Sequence, residues 1–516
     1  MSVVDSPPVR SVSNARWRSS APVTGCWAWS SPVASPPPEP TRPACTTSIT
    51  LNAVRSSPRC RASPRPSATL SRLPSTDHAR IAKRGIPMKR LLVLGAGTAG
   101  TMAVNKLRPR LSVDEWQMTV VEPSDVHRYQ PGYLFLPFGA YTPEETFDDT
   151  DRYIPEGVER VRGEVDVVKP EENVVELVDG RTLPYDYLII ATGTTPRPDE
   201  TPGMDDDAVW RKTVHEFYTF EGAMALRDTL ADWPGGRLVV HVTEMPIKCP
   251  VAPLEFTFLA DAFFAEKGMR DRVEIVYATP LEGAFTKPVA SSLLGGMLEE
   301  RSISLEPDFM IERVDSEPAQ IVSMDERGVP FDLLVTVPLN MGADFIARSG
   351  LGDDLNYVPV DKHTLLSDKY DNIFAIGDAS NIPASKAGSV AHFSMDLFPE
   401  NFIQHVNGQP MTHVFDGHAN CFIESGRGKG MLIDFNYDTE PLPGKYPLPG
   451  VGPFSLLKET EINHLGKLAF RWMYWNMLLK GTELPLPALM SMAGKNTSVL
   501  ETPVLDSTDK ELEAVR

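Results

Sequence analysis

The sequence predicts an α/β protein of two Rossmann-like dinucleotide-binding domains followed by a C-terminal amphipathic, membrane-associating region. Three observations carry the two-domain part of this prediction. A glycine-rich turn at residues 95–100 lies between an apolar strand and a helix-like run, two more apolar strands end in small-residue turns near residues 193 and 378, and a second set of short apolar strands stands between them.

The chain does not begin with this pattern. Residues 1–87 hold 14 of the 47 prolines and 12 Lys/Arg against three Asp/Glu. Such a stretch cannot bury enough apolar surface to offset its ordering entropy. It lacks the continuous apolar segment of a secretory signal, and its prolines spoil an amphipathic transit helix. We read it as a disordered or mis-called leader, with the fold starting at Met88. Subtracting it from 50 basic and 69 acidic residues leaves 38 and 66, a net charge of −28, which argues against nucleic acid as a partner. No run of 18 apolar residues occurs, so no segment is expected to span a bilayer.

The first domain opens with Arg90-Leu91-Leu92-Val93-Leu94, the turn Gly95-Ala96-Gly97-Thr98-Ala99-Gly100 and the run Thr101–Leu107. A second strand, Met118–Val121, ends in Glu122. Glycines at 95, 97 and 100 let the backbone turn tightly and approach a pyrophosphate at the helix N-terminus, and Glu122 can accept hydrogen bonds from an adenosine ribose. The strand Tyr187–Ala191 runs into Thr192-Gly193, and Asn372–Ile376 into Gly377-Asp378. In this order the three motifs resemble the two-dinucleotide-binding-domain flavoproteins, which selects FAD. The resemblance assigns Asp378 a hydrogen bond to the flavin ribityl chain.

The second domain has an expected strand at Gly236–Val242, but Thr243-Glu244-Met245-Pro246-Ile247-Lys248-Cys249-Pro250 follows in place of a glycine loop. The next strand, Val273–Tyr277, runs into Ala278-Thr279-Pro280 with no acidic residue for a ribose. A nicotinamide site is therefore not expected. The resulting domains are 88–200 (FAD-binding, first part), 201–330 (Rossmann-like, without an NAD(P)H glycine loop), 331–400 (FAD-binding, second part) and 401–516 (redox cysteine and membrane or quinone region).

Of five cysteines, Cys26, Cys45 and Cys60 fall in the leader, leaving Cys249 and Cys421. Neither forms a CxxC clip or a metal-ligand spacing, so no metal is expected. Two isolated thiols are more often buried and inert than reactive. Their surroundings alter that balance. Lys248-Cys249-Pro250-Val251-Ala252-Pro253, Pro383-Ala384-Ser385-Lys386-Ala387-Gly388 and Asn420-Cys421-Phe422-Ile423-Glu424-Ser425-Gly426-Arg427-Gly428-Lys429-Gly430 resemble the sulfide:quinone oxidoreductases across residues 88–516. That resemblance implies that Cys249 and Cys421 flank the flavin and carry sulfane sulfur, that sulfide is the reductant and a membrane quinone the oxidant, and that Lys386 meets the flavin's pyrimidine edge. A third cysteine found in some members, between the first and middle motifs, is missing here.

Lys248, beside Cys249, is a candidate for lowering its thiol pKa, with a solvated lysine as the alternative. His127-Arg128-Tyr129-Gln130-Pro131-Gly132 is a loop that either approaches the flavin or is structural. The segment Ile462–Lys480 mixes large apolar, aromatic and basic residues. It suits either a helix in the headgroup layer or one packed on the protein's own core, and the resemblance favours the membrane. A peripheral protein of a prokaryotic cell membrane is expected, with a homo-oligomer left open. Competing readings are a type II NADH dehydrogenase, the flavin subunit of a flavocytochrome sulfide dehydrogenase, and a catalytically silent FAD-binding protein.

Overall fold

The computed structural model describes residues 88–450 and 452–498; the expected leader, 1–87, lies outside them. Two parallel sheets dominate. The first has the order Ile373–Ala375, Tyr187–Ile190, Lys89–Leu94, Trp116–Val121, Val158–Val161. Its three central strands are almost wholly buried, as expected where helices and loops cover both faces of a parallel sheet. The second has the order Val214–His215, Leu333–Val337, Gly236–Val242, Val273–Ala278, Ser304–Glu306.

The expected domain break at residue 330 is displaced by this second sheet. Leu333–Val337 is buried throughout and pairs in register with Leu238–Val242, so the chain returns to the first lobe only afterwards. It does so through the antiparallel pair Thr195–Arg197 with Leu339–Met341.

A third, four-stranded sheet carries Cys421. Ala419–Gly426 pairs antiparallel with Lys429–Phe435, placing Cys421 opposite Ile433 and Asn420 opposite Asp434. The helix Gly388–Val406 packs against both this strand and the helix Thr98–Leu107. The C-terminal helix Glu461–Met473 lies across the third sheet and continues into a π-turn at Tyr474–Leu478. Among the described residues, no helix is long and apolar enough to cross a membrane.

Candidate active site

The dinucleotide turn is built as its glycines require. Gly95 has φ +94°, and a Cβ there would lie 2.7 Å from the Ala191 carbonyl oxygen; one on Gly100 would lie 1.9 Å from the Gly95 carbonyl oxygen. A Cβ on Gly97 would meet nothing within 4 Å, and neither would one on Gly193. Gly95 and Gly100 therefore serve the turn itself, while open space adjoins Gly97 and Gly193. Glu122 caps the turn, its Oε2 accepting from the Ala96 N–H at 2.8 Å. Thr192 has a buried hydroxyl with no partner.

Gly377 closes against the first helix, where a Cβ would come 2.8 Å from that of Ala99. Burial pushes the Asp378 carboxyl up, opposed by the charges of Lys386 and Lys248. Lys386 is buried and donates at 2.9 Å to the carbonyls of Asp378 and Ser380, with its ammonium 3.5 Å from the Tyr357 ring centre. Burial lowers its pKa to about 8. It thus braces the Gly377–Ser380 turn from beneath. Open space beside the glycines, an unpartnered hydroxyl and a carboxylate at a strand end together fit FAD.

Cys249 belongs to the second lobe but is held by the first. Its N–H donates to the Lys386 carbonyl at 2.8 Å, and Lys248 forms a bridge with Lys386. The Asn340 side chain accepts from the Lys248 N–H at 3.1 Å. The backbone at Cys249 has φ +45°, a left-handed conformation that costs a non-glycine residue about 1–3 kcal/mol and clusters at functional sites. The helix Ala252–Glu266 starts just beyond it.

Cys421 is buried on its strand, next to the first turn of Gly388–Val406; the Ser389 hydroxyl accepts from the Asn420 N–H at 3.3 Å. Both cysteines are free thiols, and the charge of Cys421 adds to the cost of charging Cys249. Burial pushes Cys421 up to about 12 and Cys249 higher still.

The sequence offered Lys248 as the cation that would favour a thiolate. Its ammonium instead bonds the Gln130 side-chain carbonyl at 3.1 Å and faces Glu216 and Asp378. The cation that opposes burial at both thiols is Lys467, from the C-terminal helix. It donates at 2.6 Å to Glu255 and at 3.1 Å to the Phe422 carbonyl. Glu255 is fully buried, also accepts from the Glu424 N–H at 2.7 Å, and leaves Oε2 unpartnered. Its charge, like burial, holds both thiols protonated.

Neither Glu255 nor Lys467 was identified from the sequence. Glu255 carried one signal, a carboxylate six residues after Cys249 in the apolar first turns of a helix. Lys467 carried another, standing with His464 and Arg471 at helical spacing. Each of these three bases pairs inward with an acid: His464 with Glu424 at 2.9 Å, Lys467 with Glu255 and Arg471 with Glu145.

His127 takes the structural alternative. Its Nε2 lies 2.7 Å from the Tyr474 hydroxyl, inside a cluster with Tyr153 and Trp475.

Comparison with known proteins agrees with this architecture. Residues 89–241 match the family described as pyridine nucleotide-disulphide oxidoreductase. The mitochondrial sulfide:quinone oxidoreductase of Dictyostelium discoideum is 28% identical over 76% of this chain and 86% of its own. The mitochondrial sulfide:quinone oxidoreductase of Mus musculus is 27% identical over the same shares. The solved sulfide:quinone oxidoreductase of the bacterium Aquifex aeolicus has a TM-score of 0.65 at 18% identity, covering 76% of this chain and 92% of that one. Mitochondrial and bacterial proteins both appear among these relatives, so the prokaryotic membrane expected from the sequence is not singled out.

Proposed function

We propose that this chain, a relative of the sulfide:quinone oxidoreductases, oxidises sulfide through Cys249 and Cys421 and passes the electron pair through FAD to a quinone. The observation that carries the reading is the convergence of two thiols from separate elements on one ion pair, Lys467–Glu255, beside the loop that braces Asp378.

The chemistry starts from the oxidised protein, in which the two thiols have lost two protons and passed two electrons to the quinone and are joined by a bridge. Hydrosulfide attacks one sulfur, leaving a persulfide on that cysteine and a thiolate on the other. Burial opposes the thiolate, and Lys467 supplies the compensating charge where it forms. Joining persulfide and thiolate restores the bridge with one sulfur inserted and releases one proton and two electrons. FAD, when bound, supplies the two-electron relay to the quinone. Gly95, Gly97, Gly100, Glu122, Thr192, Gly193, Gly377 and Asp378 would hold it, with Lys386 fixing the turn that carries Asp378.

The C-terminal helix supports docking on a membrane surface. Its inward face carries the paired His464, Lys467 and Arg471. Its outward face carries Ile462, Leu465 and Trp472, exposed by 50%, 60% and 62%. The same helix packs Leu468 and Phe470 on the core, so these exposed apolar side chains are additional to its packed face, and they suit the headgroup layer. An NADH dehydrogenase is disfavoured by the loop after Gly236–Val242, which is given over to Lys248 and Cys249 instead of a phosphate cradle.

The test is anaerobic. Sulfide should bleach the flavin and a short-chain quinone should restore it, with both responses lost in Cys249→Ser and Cys421→Ser. Bleaching by NADH but not by sulfide overturns the reading.

A further inference from the structure

We infer that Tyr474, at the end of the C-terminal helix, is a latch on the phosphate turn of FAD. Its ring is 2% exposed and its hydroxyl lies 2.9 Å from Thr98 Oγ1 and 2.7 Å from His127 Nε2. Thr98 directly follows Gly97, where open space adjoins the backbone, and it begins the helix whose N-terminus faces the pyrophosphate. The inference rests on the FAD reading above and extends it to a residue 376 positions away.

Burial holds the His127 ring neutral at ordinary pH, with a pKa near 4, although the Ala96 backbone of the same turn opposes the shift. The Tyr474 hydroxyl stands between His127 Nε2 and Thr98 Oγ1 and joins the three side chains in one hydrogen-bonded chain that reaches the turn at Gly97. Each bond in this chain polarises the next.

The surroundings keep Tyr474 in place. Its ring packs 4.9 Å from Tyr129 and 5.1 Å from Trp475. It also begins the π-turn Tyr474–Leu478, a rare geometry that is frequent at functional sites. Two residues earlier stands the outward Trp472. One short stretch of chain thus touches both the exposed apolar face and the cofactor's phosphate turn.

The experiment uses the purified holoprotein and follows flavin fluorescence as FAD is released on dilution. Tyr474→Phe keeps the ring and removes only the hydroxyl. It should speed release roughly three- to tenfold, the range for losing one hydrogen bond in a neutral chain. Thr98→Val should do the same, Thr98→Ser should restore the wild-type rate, and Tyr474→Phe with Thr98→Val should be no faster than either alone, because both break one chain. Release from Tyr474→Phe at the wild-type rate, or strictly additive effects in the double variant, overturns the inference. A wild-type protein that carries no flavin refutes the underlying FAD reading instead.

Discussion

Lys467→Met should cost both stability and sulfide-driven flavin reduction, and the two losses should separate on a second substitution. The ammonium is 2.6 Å from a carboxylate that is fully buried and already lacks a partner on its second oxygen. Removing one member of such a pair leaves an uncompensated charge and costs about 3–5 kcal/mol, while replacing both with apolar side chains is about neutral. Lys467 is also the cation that opposes burial at Cys249 and Cys421. Without it both thiols rise further, and each unit of rise lowers the thiolate fraction about tenfold at fixed pH.

Lys467→Met should therefore unfold at lower denaturant and reduce its flavin with sulfide at least about tenfold more slowly, with part of the rate recovered at higher pH. Lys467→Met with Glu255→Met should regain most of the stability. It should also be faster than the single variant, because the carboxylate that raised both thiols is gone. Stopped-flow bleaching and denaturant melts read the two effects. A Lys467→Met variant of wild-type stability and wild-type bleaching rate refutes the argument.

Other outcomes follow from the same geometry. In the reduced protein burial pushes the Cys421 thiol up from an ordinary 9 to about 12. A raised thiol pKa favours the folded state below pH 9 and loses that contribution, about 4 kcal/mol, as pH climbs towards 12. Cys421→Ala should blunt the alkaline stability loss, and equal stability curves above pH 9 would contradict this. His127 is depressed from 6.5 to about 4, so its contribution, about 3 kcal/mol, is present above pH 6.5 and disappears as pH falls through 4. Acid melts of His127→Gln should lack that component, although its baseline stability is lower. Trp472→Glu should weaken flotation with phospholipid vesicles several-fold while leaving reduction by sulfide in detergent near wild type; undiminished flotation would point to a different docking face.

The fold was legible where the backbone itself sets the requirement. Gly95 and Gly100 stand where a side chain would collide with the neighbouring backbone, and such positions announce themselves in sequence. The lone thiols were singled out by the resemblance of the segments around them, since two isolated cysteines by themselves read more often as inert. The charge around them was not. Lys248 is Cys249's neighbour in the chain but turns to Gln130, whereas Lys467 reaches the same site from 218 positions on, by way of a helix laid across the third sheet. Sequence adjacency carries no information about which side chain turns inward at a tight loop. Periodicity in 461–473 likewise showed two faces without showing which one meets the protein, because ion pairs with Glu424, Glu255 and Glu145 exist only after folding. The domain break expected at residue 330 missed Leu333–Val337 for a related reason. An apolar strand fits either parallel sheet, and only its partner decides.

The bridge between Lys248 and Lys386 has a mechanical consequence. A loop of one lobe is tied through the Cys249 N–H to the lysine whose ammonium holds the turn of Asp378 in the other. Under the proposed function, sulfur and flavin would ride on a common frame, with no hinge needed between sulfur chemistry and electron transfer.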